Sequence, residues 1–125
     1  MAELFYREDR DIDFMNACEK VRQESNEHLS VAEIVRKAIL QPAKSFYLRP
    51  REYGDIVRRA KKKLPKREVT RELYAEILNR YNTLREEYPS LKNQDINKML
   101  SEQVAPRFYI SEARGILLYY ELMKK

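Results

Sequence analysis

Apolar side chains recur at steps of three and four residues along nearly the whole chain, and that spacing confines it to helices. In 71–88 the apolar positions are Leu73, Tyr74, Ile77, Leu78, Tyr81, Leu84 and Tyr88, one continuous helical stripe. Val31, Ile34, Val35, Ala38 and Ile39 repeat the pattern, as do Tyr53, Ile56, Val57, Ala60 and Leu64. Ile96, Met99 and Leu100 follow, then Ala113, Ile116, Leu117, Tyr120 and Met123. No run alternates apolar with polar residues for long enough to make a half-buried strand.

The punctuation agrees with this reading. Ser30 with Glu33 three residues on is the pattern of a capping box. Pro50 suits a first helical turn, where its missing N–H costs little. Ser111 is placed to cap a last helix, with Glu112 favourable to the helix dipole. Pro42, Pro65, Pro89 and Pro106 end or separate the periodic segments. The spacing predicts six helices, at about 8–26, 30–41, 50–64, 69–87, 92–104 and 111–124, in an all-α domain of 125 residues.

The second half echoes the first. Leu29, Glu33, Ile34, Ala38, Gln41, Ala43, Phe46, Tyr47 and Leu48 lie 62 positions before Leu91, Asp95, Ile96, Leu100, Gln103, Ala105, Phe108, Tyr109 and Ile110. Upstream the offset is 60, with Phe14, Ala17, Cys18 and Val21 answering Tyr74, Ile77, Leu78 and Tyr81. This predicts two repeats, 7–64 and 67–124, each a long helix, a short helix, a proline–aromatic loop and a third helix. Three helices with a short middle one are helix-turn-helix-like, although the loop is longer than the usual three to four residues and lacks glycine.

The loop itself runs Pro42-Ala43-Lys44-Ser45-Phe46-Tyr47-Leu48 in one copy and Pro106-Arg107-Phe108-Tyr109-Ile110 in the other. Over 42–57 and 106–120 this resembles, with three and one residues in place of two after the proline, the Pro-x-x-Phe-Tyr-aliphatic loop of small uncharacterised helical proteins of bacterial prophages and mobile elements. The resemblance implies a bacterial, cytoplasmic setting and brings no established activity with it.

Charge is distributed unevenly. Residues 1–34 carry 4 basic and 9 acidic side chains, residues 35–67 carry 12 and 2, and residues 68–125 carry 9 of each. The central block of +10 repels itself unless something anionic lies near. Its helix 50–64 has an apolar face and a cationic one, the electrostatic footprint of nucleic-acid binding. Arg51, Arg58, Arg59, Lys62 and Lys63 are the expected contacts on the helix, with Lys44 and Arg49 from the preceding loop. Arginine can read guanine edges, and lysine neutralises phosphates. DNA is therefore the expected partner. The competing reading pairs these cations with Glu8, Asp9, Asp11 and Asp13.

Helix 111–124 is greasy around much of its circumference, with Ile116, Leu117, Leu118, Tyr119, Tyr120, Leu122 and Met123. Burial between the two repeats is expected for it, with a homodimer interface as the alternative function. Tyr47 and Tyr109, each beside a phenylalanine, are expected to pack their loops rather than stack on bases.

Enzymatic readings find little support. The two glycines, Gly54 and Gly115, make no phosphate loop. Cys18 falls on the apolar side of its helix, and His28 has no neighbouring Cys or second His. Asp9-x-Asp11-x-Asp13 starts like a calcium loop but has Phe14 where glycine is needed and Lys20 at the last ligand position. No enzyme activity, metal or cofactor is expected. No apolar run approaches the roughly 20 residues of a membrane span, and helix 50–64 holds no Trp or Phe with which to dock on a lipid surface.

Overall fold

A computed structural model describes residues 2–25 and 27–124. It is all-α, with six helices: α1 (Ala2–Glu24), α2 (Val31–Ile39), α3 (Pro50–Lys62), α4 (Glu68–Glu87), α5 (Asn93–Ser101) and α6 (Glu112–Met123). Helix accounts for 69% of the chain, with no strand among the described residues. The expected end of the first helix at residue 26 lies outside the described residues, as does Lys125.

The helix ends follow local chemistry. Ser30 caps α2 through a full capping box, its hydroxyl accepting from the Glu33 N–H. Ser111 caps α6 by accepting from the Arg114 N–H. Pro50 opens α3. The first helix starts six residues earlier than the apolar pattern indicated, because 2–7 contain neither proline nor glycine and nothing there breaks a helix. By contrast α3 stops at Lys62, two residues short of expectation. Pro65 disfavours helical backbone at the preceding residue, so Leu64 leaves the apolar stripe and is exposed.

The chain forms two compact units. They do not follow the two sequence segments. Unit 1 comprises Met1–Phe46 with Val104–Lys125, and so contains α1, α2 and α6. Unit 2 comprises Tyr47–Gln103 and contains α3, α4 and α5. Each unit takes the first two helices of one segment and the third helix of the other. The tri-helical grouping read from sequence, α1–α2–α3 and α4–α5–α6, is thereby replaced.

In unit 1, α2 packs on both α1 and α6. Phe14, Cys18, Val35, Ala38, Phe108 and Leu118 fill the core. Phe14 and Phe108 meet edge to face at 5.6 Å, a favoured aromatic geometry. The two proline–aromatic loops also meet here. Ala43 and Ala105 form an isolated antiparallel bridge, and the Phe108 N–H donates to the Ile39 carbonyl at 2.8 Å. Phe46 stacks on Tyr109 with centroids 5.9 Å apart, and Arg107 lies over the Tyr109 ring. Tyr109 thus packs its loop, as expected. Tyr47 differs from it in backbone: it takes the left-handed region at φ 59°, a conformation that costs an L-residue roughly 1–2 kcal/mol.

Helix α6 belongs to unit 1 and is not wholly covered. Gly115, Leu118 and Tyr119 are buried, but Leu117, Tyr120 and Met123 are 58%, 52% and 52% exposed. The expected burial therefore holds for one face only. In unit 2, α3 packs on both α4 and α5 around Tyr53, Ile56, Val57, Ile77, Ile96 and Leu100.

Candidate nucleic-acid interface

The cationic candidates lie mainly on α3. Burying Tyr53, Ile56, Val57 and Ala60 against α4 and α5 fixes the rotation of this helix. The remaining face is turned outward, and Arg51, Arg58, Arg59, Lys61 and Lys62 on it are exposed. Arg51, Arg59, Lys62 and Lys63 have no carboxylate partner among the described residues. Arg58 pairs with Asp55 of its own helix at 3.0 Å, with 65% of its side chain still exposed. A pair this wet is worth only about 0.3–0.5 kcal/mol, little hindrance to a phosphate.

Three candidates sit differently from the sequence reading. Lys63 is exposed but lies beyond the helix, at the C-cap with extended backbone. Arg49 is half-buried, and its Nε donates to Glu52 at 2.6 Å, so its guanidinium already serves the first turn of α3. Lys44 belongs to unit 1, where its backbone N–H donates to the Asp13 carboxylate at 2.9 Å. Its side chain is exposed. Asp13 is the buried acid of the N-terminal cluster, and Asp11 pairs with the adjacent Arg10.

A feature unmarked by the sequence pattern lies beside this ridge. A cleft of about 500 Å³ opens within unit 2, walled by α3, α4 and α5. Arg58, Lys61 and Lys62 border it from α3, with Tyr81 from α4 and Asn93 and Asn97 from α5. Lys61 sits 5.1 Å from the Tyr81 ring centroid and Arg85 5.7 Å from it. The Tyr81 hydroxyl donates to Asn93 Oδ1 at 2.8 Å, and Arg85 donates to the same oxygen. Gly54 lets α3 approach α5 closely: a Cβ there would lie 3.1 Å from Asn97 Nδ2. The only sequence signal for the cleft is a pair of asparagines four residues apart, an unfavourable residue type in a helix unless its amide has a task.

Other sequence candidates are quiet. Cys18 is buried, and burial pushes its thiol up to about 12. His28 is exposed. Among the described residues no group of three or more His, Cys, Asp or Glu side chains could hold a metal ion, and no helix is long and apolar enough to cross a membrane. Comparison of the chain with protein families, curated proteins and solved structures gives no match.

Proposed function

We propose that the protein binds DNA, without catalysis, through the outward face of α3. The observation that carries this reading is the set of exposed cations on α3 and its C-cap, Arg51, Arg59, Lys62 and Lys63, left without carboxylate partners among the described residues. Phosphate neutralisation by these side chains and Arg58 supplies most of the affinity. Lys44 lies in the other unit and is left out of this site, and Arg49 is a positioning residue for the start of α3. Joint replacement of Arg58, Arg59, Lys62 and Lys63 by alanine, followed by fluorescence anisotropy on labelled DNA, tests it. Binding should fall by an order of magnitude or more with the helical circular dichroism unchanged. Undiminished binding rejects the site.

A second reading rests on α6. Leu117, Tyr120 and Met123 fall on one exposed side of that helix, the kind of apolar patch that pairs with a protein surface. A homodimer through α6 is the form this takes. Light scattering over a concentration series, with Leu117→Lys as control, separates it from a monomer.

A further inference from the structure

The cleft beside the α3 ridge has a chemistry that phosphate binding alone does not use. Asn97 lines it, and no hydrogen bond among the described residues reaches its side chain. Its Oδ1 is shielded from solvent with no partner. An unpartnered buried carbonyl is costly to keep, so a ligand that draws it into the cleft and supplies a donor recovers that cost. The amide offers a donor beside an acceptor. Asn93, whose Oδ1 is engaged by Tyr81 and Arg85, keeps its NH₂ group available one helical turn away. Arg58 and Lys62 also line it, as does Asp55, which pairs with Arg58 at 3.0 Å. The volume lies within the roughly 300–1,000 Å³ of small-ligand sites.

Resting on the DNA-binding reading, we infer that this cleft receives one unpaired nucleotide of a DNA strand. Its base edge meets the Asn97 amide once that side chain turns its oxygen into the cleft, and its phosphate lies against Arg58 and Lys62. The Watson–Crick edge of every base sets donors beside acceptors, which a side-chain amide can match in two bonds. In a duplex that edge is already paired. The cleft therefore selects single-stranded or frayed DNA, with little preference among bases. Lys61, held over Tyr81, borders the cleft without filling it.

Three labelled probes of equal length test this on the full chain: a single strand, the same strand with abasic sites, and a duplex. Intact single strand should bind about tenfold more tightly than the abasic strand, although their phosphate charge is the same. Asn97→Leu, which keeps the branched outline and removes the amide, should lower single-strand affinity to the abasic level. Its salt dependence and its duplex binding should stay unchanged. Gly54→Ala, which crowds Asn97 from the opposite wall, should act in the same direction. Equal binding of intact and abasic strands would overturn the cleft and leave the α3 ridge standing. Loss of single-strand and duplex binding together in Asn97→Leu would also overturn it, and failure of all three probes to bind would end both proposals.

Discussion

Ala43 and Ala105, 62 residues apart in sequence, exchange two backbone hydrogen bonds of 3.0 and 2.9 Å. They are 1% and 0% exposed. The same offset separates the loops that share a Phe-Tyr-aliphatic pattern, so each loop is tied to its sequence counterpart. Both methyls are closed in, so a larger side chain must displace its neighbours. Ala105→Leu should destabilise the fold by about 1–3 kcal/mol through overpacking, read as a lower urea midpoint. Native-state hydrogen exchange should place the Ala43 and Ala105 amides among the slowest in the chain.

Gly115 provides a second steric test. It lies buried in α6, and a Cβ there would come within 2.7 Å of Val35 Cγ1. Alanine normally favours a helix over glycine by about 1 kcal/mol. Here Val35 is fully buried and stiff, so the neighbour cannot yield cheaply. Gly115→Ala should therefore lower the melting temperature rather than raise it.

The capping box carries a pH signature. Hydrogen bonds from the Ser30 hydroxyl and backbone hold the Glu33 carboxyl below its ordinary value of 4.5, helped by Lys37 and Arg36. A carboxyl depressed in the folded state stabilises above its unfolded value and loses that contribution as pH falls through its folded value. Wild type should thus outlast Glu33→Gln in thermal melts at neutral pH, and the gap should close in acid below the ordinary carboxylate range. Ser30→Ala should cost about 1 kcal/mol at neutral pH.

Much of the architecture was readable because helix signals are local. Ser30, Pro50 and Ser111 announced their helix starts, and the apolar stripe of α3 named the side that is buried. The partnership of helices was not readable. Nothing in the sequence of α3 or α6 says which helices it will pack against, because the other helices carry apolar stripes of the same period. The grouping of α6 with α1 and α2, and of α3 with α4 and α5, is a tertiary choice. In the candidate site, the exposed cations of α3 followed from its periodicity. The commitment of Arg49 to Glu52 did not stand out among the other charges. The cleft was hidden because Tyr81, Asn93 and Asn97 come from two helices that only packing brings to α3.

Cys18 should behave as a core residue. Burial outweighs the favourable charge of Arg22 and pushes its thiol up to about 12, so almost no thiolate exists at neutral pH. A disulfide reagent should label it slowly in the native protein and at once in denaturant. Cys18→Ser should destabilise by leaving a hydroxyl in an apolar site.

The central claim is electrostatic, and its most direct measure is the salt dependence of DNA affinity. If Arg51, Arg58, Arg59, Lys62 and Lys63 meet phosphates, a plot of log affinity against log salt should have a slope of about −3 to −5. The quadruple alanine variant should flatten that slope by about 3 to 4. A slope near zero, or one that the four substitutions leave unchanged, would contradict the account.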